Sequence, residues 1–346
     1  MIQIDDFAIQ SIAVHYVGNK LNDEVCAISK GLLNTNEKTL YALVKYFRSS
    51  FKSQEYYNFF HESDINLNEA YTFAGKIFEN PDVLYEQSVN LAQHLYAQCV
   101  HPKIKSGEFY VVYFKDCMLD DYVADAIGLF KSENKDTFLQ VSATDDGLNI
   151  ESETGININK PDKGCLIFNI EKDKGYVVAV VDNTNKGLEA QYWIDSFLKI
   201  RQRNDEYLKT QQMMSLCKDF ITKELPQQYN TTKADQVDML KKSVKFFKEK
   251  EHFEMDEFTN EVIGQPDVIE TFNNYKNNYQ TEQELHFDNN FNINNTAVKK
   301  QERKFRSVIK LDKNFHIYVH GNPNLIEQGI DENGRKFYKI FYQEEN

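Results

Sequence analysis

Lysine and arginine gather at three places in the second half of this sequence, and cations at regular spacing do one kind of chemistry well: they hold phosphate oxygens. Residues 299–310 read KKQERKFRSVIK, presenting Lys299, Lys300, Arg303, Lys304 and Arg306. Lys241, Lys245 and Lys248 follow at i, i+4 and i+7, with Lys242 one step around, which makes a basic ridge on a helix. Lys199, Arg201 and Arg203 form a third cluster. Duplex DNA carries one charge per about 1.7 Å of axis, so a linear array of cations matches its backbone. Each cluster also has a meaning that needs no ligand. Lysines beside an apolar stripe solvate a helix, and lysines on an exposed strand discourage pairing with other strands.

Other chemistries find less support. GxGxxG, Walker, GxSxG, HExxH and CxxC patterns are all missing. His316 and His320 stand four apart in what reads as a strand, where four residues span roughly 13 Å. That is too far for both to reach one zinc at about 2 Å. Asp120-Asp121 and Asp145-Asp146 sit beside turn residues, where aspartate is common for backbone reasons. Cys26, Cys99 and Cys117 would be nucleophiles only beside a histidine in the fold, and free cysteine is among the most buried residue types. The expectation is a protein that is not an enzyme, with no catalytic residues, no metal and no cofactor.

The chain has 346 residues and a formal net charge of −13. The acidity is concentrated: residues 1–185 carry 16 Lys and Arg against 27 Asp and Glu, and 251–290 carry 1 against 10. Residues 186–250 reverse this with 13 against 9, and 299–313 with 7 against 2. Such asymmetry suits a polyanion-facing surface on a self-repelling body. The longest apolar run, Val177 to Val181, is far below the roughly 20 residues of a membrane helix, so no membrane partner is expected. The start, MIQIDDFAIQ, has acidic residues where a secretory signal is basic and reads as mature protein. Five singly spaced cysteines make neither a disulfide framework nor a metal knuckle, which points to a reducing cytosol.

The elements that must position the cations follow from periodicity. Leu40, Leu43, Val44, Phe47 and Phe51 keep helical spacing. A second helix opens at Asn80-Pro81 and stops at His101-Pro102. Then the period drops to two in GEFYVVYF (107–114), DAIGLF (125–130), TFLQVSA (137–143) and GLNIES (147–152), followed by a hairpin turning through Lys172-Asp173-Lys174-Gly175. Residues 189–214 read as a pair of helices leaving the sheet. Thr231-Thr232 with Asp235 announces the next helix, whose stripe is Val237, Leu240, Val244 and Phe247. Two short helices flank Gly264-Gln265-Pro266. The second opens PDVIE and offers one lysine, Lys276, so it lacks the polar start of a recognition helix. DNNFNINN (288–295) reads as a surface loop, from which KKQERKF enters an edge strand, and alternating strands close the chain.

The fold class expected is α+β: an antiparallel meander flanked by helices in a 1–187 domain, then a helical 188–346 domain closing with a small antiparallel sheet. The stretch GYVVAVVDNTNKGLEAQYWIDSFLKIRQRNDEYLKTQQMM (175–214), with its YW-x-D-x-F core, resembles the bacterial nucleoid-associated protein family of the NdpA or YejK type. The closing KNFHIYVHGNPNLIEQGIDENGRKFYKI (313–340), with a G-x-P-x-L turn at Gly321 to Leu325, and the opening DDFAIQSIAVHYVGN (5–19) are similar too. The resemblance implies a cytoplasmic, nucleoid-located protein that binds double-stranded DNA with little sequence preference. Backbone contact fits that better than base readout. A homodimer and other nucleoid proteins stand as further partners. The alternative is an interaction module whose acidic surface reaches the nucleoid through a basic or DNA-bound partner.

Overall fold

The computed structural model describes residues 2–3, 8–49, 51, 55–119, 122–144, 147–159, 161–184, 192–283, 285–305, 308–311, 315–318 and 325–344. The chain divides into two compact units, 1–203 and 204–346. It is an α+β protein built on antiparallel strands.

The first unit contains β1 (Ile2–Gln3), β2 (Ala8–Val17), β3 (Cys26–Ala27), α1 (Glu37–Arg48), β4 (Tyr56–Phe59), α2 (Glu69–Glu79), α3 (Leu84–Gln98), β5 (Gly107–Leu119) and β6 (Tyr122–Ser132). β7 (Asp136–Thr144), β8 (Gly147–Gly155), β9 (Lys163–Phe168), β10 (Val177–Asp182) and β11 (Ile200–Gln202) complete it. The main sheet runs β11-β4-β10-β9-β6-β5-β2-β3, with β1 also on β5. Period-two alternation sorts its side chains. On β5, Phe109, Val111 and Tyr113 enter one core while Tyr110, Val112 and Phe114 enter another. Both faces are therefore covered, which is why these strands read as nearly continuous apolar runs. Ala70, Ala74, Ile77, Leu91 and Leu95 of α2 and α3 close the first face, together with Trp193 and Phe197. Tyr46 and Phe47 of α1 close the second, Phe47 stacking on Phe130 at 4.4 Å between ring centres. The β9–β10 connection needs Gly175: its φ is +93°, and a Cβ there would lie 2.4 Å from the Phe59 carbonyl.

The expected helix pair at 189–214 is only partly present. Residues 192–198 form one wide helical turn, but β11 then pairs with β4 before α4 (Glu206–Asp219) begins. Strand pairing with residues about 140 positions earlier has no local signature.

The second unit packs α4, a wide turn at Phe220–Glu224 and α5 (Leu225–Gln228) with α6 (Lys233–Glu249), β12 (His252–Glu254), α7 (Met255–Phe258) and α8 (Pro266–Gln283). β13 (Asn290–Asn292), α9 (Asn295–Glu302), β14 (Val308–Leu311), β15 (Phe315–Tyr318), β16 (Ile326–Ile330) and β17 (Lys336–Ile340) follow. Its core is aromatic: Phe253 stacks between Phe247 at 5.4 Å and Phe291 at 4.8 Å. The last four strands make two hairpins, β14–β15 and β16–β17. His320 and residues 321–324 of the G-x-P-x-L turn lie outside the described residues, as do Asp120, Asp121, Asp145 and Asp146.

α6 starts as its sequence dictates. Thr232 Oγ1 accepts from Asp235 N at 3.1 Å, and an Asp235 carboxylate oxygen accepts from Thr232 N at 2.8 Å, a reciprocal capping box. Thr232→Ala removes one half and is expected to lower stability by about 1 kcal/mol, read by denaturant unfolding followed by circular dichroism.

Candidate nucleic-acid interface

The three basic clusters differ in how their charges are spent. On α6, Lys242 pairs with Asp238 at 2.9 Å and Lys245 with Glu249 at 3.9 Å, both one turn apart on the same helix. Lys248 reaches Glu302 at 2.7 Å, and burial pushes the Lys241 ammonium below the usual lysine range. Lys250 bonds Glu257 and Glu261, which raise its pKa. The ridge is there, but its field is largely cancelled by its own acids.

Residues 299–305 do not lie on an edge strand. Asn294, inside the segment read as a loop, accepts from Thr296 N and Ala297 N at 3.0 Å and starts α9. Just before it, β13 pairs with β12, so DNNFNINN holds a strand and a helix cap. A three-residue strand paired some 40 positions away looks like a loop in sequence. α9 buries Ala297, Val298 and Gln301, leaving Lys299 and Lys300 on its last turn, where cations complement the helix dipole. A tighter turn, Arg303–Phe305, continues it and buries Phe305. Lys299 and Arg303 thus stand one turn apart, as do Lys300 and Lys304. Lys300 lies 5.6 Å from the centre of the Tyr207 ring. Lys299, Arg303 and Lys304 are exposed and make no ion pair with another described residue. The Lys248–Glu302 bridge brings the end of α6 beside this turn. Arg306 lies outside the described residues.

The remaining cluster belongs to the first unit. Asn68 caps α2 and donates to the Leu198 and Lys199 carbonyls at 2.9 and 3.0 Å, holding Lys199 in a left-handed turn with φ +49°. Lys199 pairs with Glu69 at 3.1 Å, Arg203 donates to Glu171 at 2.7 Å, and the Arg201 guanidinium lies 4.3 Å from the centre of the Phe60 ring. A cavity of about 360 Å³ lined by His61, Glu62, Asp195 and Lys199 adjoins them. Burial raises the Asp195 carboxyl above its usual range.

Two features have no motif behind them. In the second unit, a groove of about 400 Å³ runs along α8 and is lined by Asp219, Lys223, Glu224, Glu282, Tyr275 and Tyr279, with Lys223 pairing to Asp219 at 3.0 Å. Burial, with Asp219 next in weight, pushes the Tyr275 hydroxyl up to about 12. In the first unit, Lys131 and Lys163 are wholly buried with Glu133, Asp182 and Tyr192. Alternating strand patterns could have flagged those two lysines, because each ends an otherwise apolar run on a core-facing position.

Among the described residues no group of three His, Cys, Asp or Glu could hold a metal ion, and no helix is long and apolar enough to cross a membrane. No curated protein matches the chain. The pattern of the family described as nucleoid-associated protein YejK matches residues 13–335, nearly the whole length, with both units included. The α+β fold and this match together show that the chain belongs to the YejK family of nucleoid-associated proteins.

Proposed function

We propose that this protein acts in the cytoplasm, at the nucleoid, by binding double-stranded DNA through its phosphate backbone, with the α9 turn as the main contact and without catalysis. The observation that carries this is the contrast between the basic clusters. Lys299, Arg303 and Lys304 are solvent-facing and unbridged among the described residues, whereas the α6 and 199–203 cations are largely occupied by acids or rings. A phosphate meeting Lys299, Arg303 and Lys304 displaces no ion pair with a described residue. A sequence-blind mode follows, since nothing at the turn resembles a base-reading helix.

Fluorescence anisotropy of labelled duplexes of unrelated sequence tests it. Affinity should be alike across sequences and fall steeply between about 50 and 200 mM salt, three phosphate contacts alone accounting for about 40-fold. Absence of binding at the lower salt would overturn it. Replacing Lys242 and Lys245 by glutamine should change affinity by less than about twofold, because these exposed lysines are already paired within their helix.

The acidic groove along α8 supports a second reading, docking of a basic partner. Its carboxylates and tyrosine rings suit lysine or arginine side chains. A pull-down that survives nuclease treatment and is lost on Glu224→Gln with Glu282→Gln would favour it.

A further inference from the structure

β7 and β8 form a two-stranded arm that pairs with no other strand among the described residues. The register puts Val141 opposite Ile150, Ala143 opposite Leu148 and Leu139 opposite Ser152, so these side chains share one face with Thr137 and Thr154. That face carries no charge. Its large members are open to solvent: Leu139 69%, Val141 58%, Leu148 77% and Ile150 62% exposed. The other face holds Asp136, Glu151 and Glu153, with Phe138 packed over Gly155. A lone two-stranded hairpin is marginal in water, and a contiguous exposed apolar face marks an interaction surface.

We propose that this face is where a second copy of the chain docks, arm against arm about a two-fold axis. The charge distribution selects the occupant. A basic partner would be drawn to the face bearing Asp136, Glu151 and Glu153, and those carboxylates would also repel an anionic lipid surface. An uncharged, apolar, β-branched strip fits an identical strip, and a two-fold contact turns both sets of carboxylates outward, away from each other. Size sets the strength. Strands of nine residues span about 30 Å, and a two-stranded face is about 10 Å wide, so two arms cover roughly 600 Å². Stable interfaces cover about 1,200–2,000 Å², so the dimer formed this way is weak and reversible.

Sedimentation velocity of the full chain across a concentration series tests this. The expected result is a monomer at low and a dimer at high concentration. Val141→Thr with Ile150→Thr keeps β-branched strand residues but strips the face, and should weaken the dimer about tenfold or more with unchanged circular dichroism. Glu151→Gln, on the opposite face, should leave association as it is. A wild type that stays monomeric throughout, a dimer indifferent to the threonine pair, or one equally sensitive to Glu151→Gln would each overturn the assignment. So would wild-type monomer that co-sediments with zwitterionic vesicles, since lipid would then be the occupant.

Discussion

Lys163→Met is expected to cost about 3–5 kcal/mol of folding stability, the loss typical of a buried pair left with one charge. Lys131, Lys163 and Asp182 form one row across β6, β9 and β10, each directly opposite the next. Two buried lysines side by side would repel, and the carboxylates are placed to prevent it. Lys163 donates to Asp182 at 2.7 Å and Thr184 at 2.9 Å. Lys131 donates to Glu133 at 3.1 Å and to the Lys105 carbonyl at 2.7 Å. Tyr192 donates to Glu133 at 2.6 Å and lays its ring 5.1 Å from the Lys163 ammonium. Methionine keeps the stem's volume but takes the Lys163 ammonium away from the Asp182 carboxylate, whose side chain is 10% exposed. Adding Asp182→Asn should recover part of the loss, because it removes the stranded charge. Urea unfolding followed by Trp193 fluorescence measures both variants; a cost below about 1 kcal/mol for Lys163→Met would mean the row is solvated rather than buried.

Trp193→Ala should cost a similar amount, about 3–5 kcal/mol. Trp193 is the single tryptophan and has no exposed surface. It packs 4.9 Å from the Phe197 ring and edge-on to Phe109 at 6.5 Å, closing one face of the main sheet. Trp193→Phe should cost much less, since the indole N–H finds no acceptor among the described residues and phenylalanine preserves most of the contact. Unfolding of both variants is read by circular dichroism. Equal losses for alanine and phenylalanine would place the energy in the indole nitrogen instead of packing.

Local signals in the sequence were reliable where the cause is local. The Thr232–Asp235 capping box, the Gly175 turn and the alternation across 107–132 all appear in the structure where residue types place them. What stayed hidden depends on distant partners. β11 and β13 are three-residue strands whose existence rests on β4 and β12, and Asn294 reads as loop material until α9 forms behind it. The candidate site shows the same division. All three basic clusters are visible as charge, but which cations are already spent depends on Asp238, Glu302, Glu69 and Glu171, and the last three of those acids lie over thirty residues from their partner. Alternation could mark Lys131 and Lys163 singly, but their alignment with Asp182 was invisible for the same reason: strand order sets it, and no motif encodes strand order.

The phosphate contacts proposed for the α9 turn are read in the salt dependence of DNA affinity. In wild type and in Lys299→Gln with Arg303→Gln and Lys304→Gln, log affinity is plotted against log salt for one duplex. Each lost contact lowers the slope by about 0.9, so the triple variant should be shallower by about 2.7 and weaker for every sequence tested. Parallel lines with equal affinity would rule out phosphate contact at this turn and leave the α9 cations as a solvated helix end.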